Sequence, residues 1–241
     1  TRGTAYVDGT YRLIDAKTLE KLRELYEAGN VGKEGIKLSR FDLATISSID
    51  SLVEAEDDVG YERIRAALAR LEQGFETKRL RRPAGMVGTL RAYQKSGLKW
   101  LEYLAEFGFG GILADDMGLG KTIQAISLLA HLKEQGDDGP FLVVAPVSTI
   151  SNWIREIERF APVLNAYAHI GPERPSDAEE IASRKGVVVT SYHTLQRDLD
   201  CLGDVTWSQL ILDESQALKN PNAKSHKTVR ELSFKRVLAM S

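Results

Sequence analysis

The residues in this 241-residue chain whose chemistry is easiest to read are Asp115-Asp116-Met117-Gly118-Leu119-Gly120-Lys121-Thr122. Glycines at 118 and 120 let backbone N–H groups wrap an anion without side-chain obstruction. A helix opening at this point adds the partial positive charge of its N-terminus. Lys121 is then placed to reach the β- and γ-phosphates of a nucleotide, and the Thr122 hydroxyl to bind Mg²⁺. The general phosphate-loop pattern carries glycine six positions before its lysine. Here that position is Asp115, while Gly118-Leu119-Gly120-Lys121-Thr122 is intact.

A second constellation is Leu210-Ile211-Leu212-Asp213-Glu214, an apolar run ending in two carboxylates. Asp213 is suited to hold Mg²⁺, and Glu214 to polarise an attacking water as general base. A strand ending in Asp-Glu is commonplace by itself. It gains weight by lying downstream of the phosphate loop in the same alternating pattern, because ligands of such folds sit at the carboxyl ends of the strands. A third candidate is Gln94, in Leu90-Arg91-Ala92-Tyr93-Gln94-Lys95. Its amide could accept from and donate to an adenine edge, although a glutamine here is also an ordinary helix-surface residue.

The elements that must position these groups alternate from Leu90 onward. Short unbroken apolar runs at Gly111–Ala114, Phe141–Ala145, Val187–Thr190, Leu210–Leu212 and Val237–Met240 read as strands covered on both faces. Amphipathic stretches such as Thr122–Gln135 and Ser151–Phe160 read as the helices between them. The pattern predicts an α/β fold with a doubly wound parallel sheet. Residues 1–83 differ in texture and predict a small α+β or helical accessory module. Tyr6 to Tyr11 reads as a hairpin turning on Asp8-Gly9. A helix capped by Asp15 carries Leu19, Leu22 and Tyr26; a strand at Ile36–Leu38, a helix capped by Ser39 and another from Tyr61 to Gln73 follow. The basic run Lys78–Pro83 reads as a solvated linker, with phosphate-backbone contact as the alternative. Residues 84–241 form the expected nucleotide-binding lobe.

Composition narrows the class. Hydrophobic residues are 43% and charged residues 27%, with a net charge of −2, so contact with a polyanion must come from local basic patches. The single Cys201 excludes an internal disulfide. His131, His169, His193 and His226 lack metal-site spacing. No apolar run approaches the ~18 residues of a membrane span, so no membrane partner is expected. Thr1 in place of Met, and a stop at Ser241 straight after an apolar run, read as cuts through a longer protein.

In order along the chain, these motifs resemble the Swi/Snf-type ATPases of helicase superfamily two, in particular the bacterial members. Leu90–Gln94 with Gly97 and Trp100-Leu101 is similar to the family's opening motif. Gly111 to Thr122 resembles its phosphate loop, including aspartate at 115, so the departure noted above is the family's own variant. Ala145-Pro146-Val147-Ser148 with Asn152-Trp153 resembles motif Ia, and Val188–Tyr192 the strand before the next helix. Asp213-Glu214-Ser215-Gln216 with Lys219-Asn220 resembles the DExx box, with serine at 215 where alanine or glycine is usual; Ala239-Met240-Ser241 resembles the start of motif III.

The resemblance implies the first of two RecA-like lobes in a motor that couples ATP hydrolysis to movement along double-stranded DNA. It implies ATP and Mg²⁺ as ligands, with Gln216 touching the γ-phosphate or relaying its presence to motif III. It also implies an arginine on a second lobe, DNA-bound proteins as further partners, and a location at the bacterial nucleoid in the cytoplasm, or in the nucleus of a eukaryote. Pro146, Ser148 and Trp153 are candidates for shaping a DNA-facing surface, although Trp153 suits a core better. Two rival readings are a DEAD-box-like strand-separating helicase, and a docking module with a vestigial nucleotide site.

Overall fold

The computed structural model describes residues 81–116 and 118–241, together with the backbone of four short strands nearer the N-terminus and the helical residues Ala66 and Ala69. The chain divides into two compact units, Thr1–Thr77 and Lys78–Ser241.

In the first unit, β1 (Gly3–Val7) pairs antiparallel with β2 (Thr10–Ile14), with Tyr6 opposite Tyr11 and Val7 opposite Thr10. Only Asp8 and Gly9 lie between the paired ends in sequence, as the hairpin reading requires. A second antiparallel pair joins β3 (Asn30–Gly32) to β4 (Gly35–Lys37), which takes up most of the strand expected at 36–38. The helices expected after Asp15 and Ser39 lie outside the described residues, as does the one from Tyr61 apart from Ala66 and Ala69.

The second unit is built on one sheet. Its strands are β5 (Gly111–Leu113), β6 (Phe141–Ala145), β7 (Ala166–Ala168), β8 (Val187–Ser191), β10 (Gln209–Leu212) and β12 (Val237–Met240). They lie in the order β5-β12-β10-β6-β8-β7, all parallel. Two-residue strands β9 (Thr206–Trp207) and β11 (Ser233–Phe234) pair beside it. All residues of β6, β8 and β10 are buried, because both faces are covered. Successive side chains point to opposite faces. Phe141, Val143 and Ala145 therefore join one apolar core with Val187, Val189 and Ile211, while Leu142 and Val144 join a second with Val188, Leu210 and Leu212.

The first core is roofed by α1 (Ala92–Phe107), α2 (Lys121–Glu134) and α3 (Val147–Phe160). In α3, Ile150, Trp153 and Ile157 make the buried stripe. This helix begins four residues earlier than its periodicity predicts. Pro146 is its N-cap, where a missing N–H costs nothing, and the Pro146 carbonyl accepts from the Thr149 N–H and hydroxyl. The second core is roofed by shorter helices, α4 (Ala178–Ser183), α5 (Tyr192–Arg197), α6 (Leu199–Gly203) and α7 (Lys224–Arg230).

Strand β7 has no counterpart among the expected strands. Its three residues are half-buried or exposed and give no apolar run. It is held beside β8, and beyond its end His169 is fully buried with Nε2 3.0 Å from Asp198 Oδ2. Arg174 donates two hydrogen bonds to the same carboxylate. That guanidinium, ahead of the opposing cost of burial and the help of His169, holds Asp198 below the usual carboxylate range. Burial, partly opposed by Asp198, lowers the pKa of His169.

Gly186, leading into β8, has φ +111°, and a Cβ there would stand 2.5 Å from the Leu164 carbonyl oxygen and 2.6 Å from that of Asn165. Gly186→Ala is expected to cost about 2 kcal/mol or more, from backbone strain together with the collision. That corresponds to a melting temperature lower by about 4–8 °C. A thermal melt of the variant within 1–2 °C of wild type, as an order-of-magnitude bound, would show that the β7–β8 edge yields more easily than the geometry states.

Candidate nucleotide site

Because the strands are parallel, their carboxyl ends share one edge of the sheet. That edge carries Asp115 after β5, Pro146 after β6, Tyr192 after β8, Asp213 after β10 and Ser241 after β12. The ladder extends into the site: Asp213 N donates to Val144 O at 2.8 Å, and Ser241 N to Leu113 O at 3.2 Å.

The loop from Asp115 enters α2 through Gly120, whose φ of +76° is left-handed backbone. Lys121, the first helical residue, donates from Nζ to the Asp115 carbonyl at 2.6 Å and the Asp116 carbonyl at 3.4 Å. The ammonium therefore lies across the mouth of its own loop. A Cβ at Gly118 would meet nothing within 4 Å, which leaves open space along the backbone. Thr122 is half-buried in the first turn of α2, Asp116 and Leu119 are exposed, and Met117 lies outside the described residues.

Gln94 is not a surface residue. It is 7% exposed, and its amide ties α1 to the loop. Oε1 accepts from Arg91 N at 2.9 Å, and Nε2 donates to Leu119 O at 3.2 Å. Tyr93 OH donates to the same carbonyl at 3.0 Å. A carboxamide has two N–H donors and two lone pairs, so one of each remains for a base.

Asp213 is 9% exposed at the end of β10. Its Oδ2 accepts from Trp153 Nε1 at 2.9 Å, and its Oδ1 from Glu214 N at 3.1 Å. Burial pushes its carboxyl above the usual carboxylate range; the indole and Glu214 N–H bonds oppose this, the Glu214 charge adds to it, and the Lys121 charge opposes it again. The loop that carries Lys121 and the Asp-Glu pair both follow strands on this one edge of the sheet. The Tyr192 hydroxyl donates to the Asp213 carbonyl at 2.8 Å, and burial, with Asp213 and Glu214 nearby, raises its pKa and keeps it a neutral donor.

Glu214 has φ +49°, an unusual conformation for a non-glycine residue. Gln216 is exposed in a 3₁₀ turn (Ser215–Leu218) and donates to the Glu214 carboxylate. Its Oε1 accepts from the Ser241 hydroxyl at 3.0 Å. Gln216 thus bridges the Asp-Glu pair to the end of β12. Asn220 shapes the following turn, its Oδ1 accepting from Asn222 N at 3.0 Å.

An oxygen-donor set built around a buried carboxylate, beside a lysine and a glycine-lined loop, fits Mg²⁺ with a nucleoside triphosphate. Among the described residues no group of three or more His, Cys, Asp or Glu is arranged to hold a metal ion, and no helix is long and apolar enough to cross a membrane.

Sequence reasoning finds the loop and the Asp-Glu pair but misses three supports, Tyr192, Gln124 and the Trp153–Asp213 bond. Each acts across 9 to 60 residues of sequence, and no local spacing marks it. Trp153 is 1% exposed and belongs to the core rather than to an outer surface. Val147 and Ser148 are exposed at the start of α3. Arg81 pairs with Glu134, and Arg82 donates to the Gly88 carbonyl at 2.6 Å, so the described arginines of the basic run bond to the lobe itself.

The parallel sheet, with a phosphate loop and an Asp-Glu strand end on one edge, defines a RecA-like nucleotide-binding lobe. The SNF2-related domain family matches residues 93–241, and the chain belongs to that family. The chain is similar to the "Putative ATP-dependent helicase/translocase YwqA" of Bacillus subtilis, at 46% identity over 157 residues, which covers 64% of this chain and 17% of that protein. It is also 46% identical over 162 residues to the "ISWI chromatin-remodeling complex ATPase CHR17" of Arabidopsis thaliana, covering 65% of this chain and 15% of that protein. Among solved structures, the "Sulfolobus solfataricus SWI2/SNF2 ATPase core in complex with dsDNA" is 36% identical with a TM-score of 0.62, over 68% of this chain and 34% of that one. The chain therefore spans about a sixth of these curated relatives and a third of the solved core.

Proposed function

We propose that this chain is the ATP-binding lobe of a DNA-dependent ATPase motor that moves along double-stranded DNA and remodels protein–DNA complexes. The observation that carries the reading is that the glycine-lined loop with Lys121, after β5, and the buried Asp213, after β10, lie on the same carboxyl edge of the parallel sheet. The relatives named as translocase and remodelling ATPase, and the solved core bound to duplex DNA, support the same reading.

The reaction is attack of water on the γ-phosphate, in line with the departing ADP. Gln94 offers its free donor and acceptor to adenine. Lys121 leaves the carbonyls of Asp115 and Asp116 for the phosphates, and the loop amides of Asp116 and of Gly118 to Thr122 are suited to surround them. Thr122 and Asp213 are the residues that would hold Mg²⁺, which when bound neutralises charge on the phosphate oxygens. Glu214 orients the attacking water and takes its proton. Gln216, bonded to Glu214 and Ser241, reports the state of the γ-phosphate to the end of β12. Val147 and Ser148, exposed residues that open α3, offer backbone N–H groups suited to a DNA backbone phosphate.

The site is one half of a composite. Its arginine comes from a second RecA-like lobe, and such an arginine contributes about 10³–10⁵ in rate in related NTPases. The expected result is that the 241-residue chain binds ATP but turns it over slowly, with or without duplex DNA. Binding followed with a fluorescent ATP analogue, and phosphate release followed by colorimetry, test both halves. Fast, DNA-stimulated turnover by the chain alone would refute the composite site. Undiminished binding by Lys121→Ala would refute the phosphate loop.

A further inference from the structure

Asp115 opens the phosphate loop where the general pattern has glycine. Its backbone makes no demand for glycine: the described non-glycine residues with positive φ are Asn165, Lys185 and Glu214. Its side chain is free to act, and it is held from within the lobe. Gln124, 1% exposed and one turn into α2, donates from Nε2 to Asp115 Oδ2 at 2.9 Å. Helical side chains lean toward the N-terminus, which aims Gln124 back over the turn that carries Lys121.

The backbone of the same Asp115 accepts from Lys121 Nζ at 2.6 Å. Gln124, Asp115 and Lys121 therefore form a closed brace across the loop. It depends on space provided by α1, since a Cβ at Gly97 would stand 1.9 Å from Gln124 Oε1 and 3.1 Å from its Cδ. Gly97 is thus the place where the Gln124 carboxamide passes the neighbouring helix.

We propose that Gln124 is a positioning residue for nucleotide binding: its carboxamide holds the Asp115 carboxylate and so sets the loop that Lys121 closes, and Gly97 is glycine to admit it. This rests on the reading of Asp115–Thr122 as a phosphate loop. Gln124 touches no phosphate. It acts through the loop, so its loss changes how firmly the folded lobe holds phosphate groups.

The test is titration of the 241-residue chain with a fluorescent ADP analogue in Mg²⁺, with thermal melting of each variant in parallel. Gln124→Glu sets carboxylate against carboxylate and is expected to weaken ADP about tenfold or more, the loss expected of a hydrogen bond to a charged partner. The double variant Q124E/D115N restores a donor–acceptor pair in reverse, with the asparagine amide donating to the glutamate. It is expected to return affinity to within about threefold of wild type, a hydrogen bond to a charged group having been regained.

Wild-type affinity in Q124E overturns the proposal. So does a double variant that melts like wild type yet binds as weakly as Q124E. A Q124E variant that melts earlier while its folded fraction binds normally reduces Gln124 to a structural residue and also overturns it. If Q124E does not fold, the double variant decides alone: folding regained without affinity overturns the brace, and both regained together supports it. Failure of the wild-type chain to bind ADP would overturn the phosphate-loop reading itself, and is thereby distinguished from failure of the brace.

Discussion

Replacing Asp213 by asparagine is expected to remove the Mg²⁺-dependence of ATP binding while making the lobe relatively more stable as pH rises. The two effects share one cause. Asp213 is 9% exposed, and burial is the largest influence on its carboxyl, raising the pKa above the ordinary value despite the Trp153 and Glu214 N–H bonds. A group whose folded pKa is raised binds its proton more tightly in the folded state than in the unfolded one. Its neutral form favours folding at low pH, and that contribution is lost as pH rises through the folded pKa. Above that pKa the ionised carboxylate is a cost that asparagine does not carry.

The difference in melting temperature, Asp213→Asn minus wild type, should therefore grow as pH rises from about 4 toward neutrality, the interval that begins at the ordinary carboxylate pKa. A difference that stays flat with pH would show that the carboxylate is not penalised by its burial. The metal-dependent gain in ATP affinity, measured by titration with and without Mg²⁺, should fall by more than about 100-fold. Partners of metal ligands are themselves worth about 10–100-fold, and a ligand contributes more. Retention of that gain would remove Asp213 from the metal site.

Trp153 is expected to give the largest stability effect. It is 1% exposed, lies in the first core between Ile150 and Ile157 on α3, and spends its indole N–H on Asp213. Trp153→Ala leaves a cavity and an under-bonded carboxylate, at a cost of about 3–5 kcal/mol. For a unit of this size that lowers the melting temperature by about 6–20 °C. Trp153→Phe separates the two roles. It keeps most of the apolar volume but loses the donor, at about 1.5–3 kcal/mol for a hydrogen bond to a charged group.

Without the indole the Asp213 pKa should rise further, because that hydrogen bond is one of the influences lowering it. The metal-dependent gain in ATP affinity should drop about 10–100-fold, the usual loss for a partner of a metal ligand. Wild-type Mg²⁺-dependence in the Trp153→Phe variant would show that Trp153 contributes packing alone. The Trp153→Ala variant cannot make this distinction, since it disturbs both properties at once.

How much of this is legible in the sequence differs from element to element. Strands Phe141–Ala145 and Val237–Met240 adopt the bounds their apolar runs predict, and the other long strands agree to within a residue. Burial on both faces gives unbroken apolar runs with no competing period. The periodicity places α2 one residue late at each end, and α3 four residues late at its start, because Val147-Ser148 contributes nothing to the buried stripe. Strand β7 is invisible to it because an edge strand of half-buried residues has no pattern to show. Gln94 stands open in the sequence between adenine contact and helix surface. Its burial and its bond to Leu119 arise from contact between α1 and the loop, 25 residues apart.

The sequence by itself determined the candidate chemical groups: the glycine-lined loop with Lys121 and Thr122, the Asp213-Glu214 pair, and the alternation that sets them on one edge of a parallel sheet. Those are local properties, set by residue type, short spacing and the strand-to-helix order. Tertiary structure alone decided the strand order, with β12 inserted between the phosphate-loop strand and the Asp-Glu strand, so that Ser241 faces Gln216. It also decided which side chains hold the reactive ones, Trp153 and Tyr192 on Asp213 and Gln124 on Asp115. Parallel strands are joined by long crossovers, so neighbours in the sheet are distant in the chain. The hydrogen bonds that orient the site join residues that only the packing of the two cores brings together.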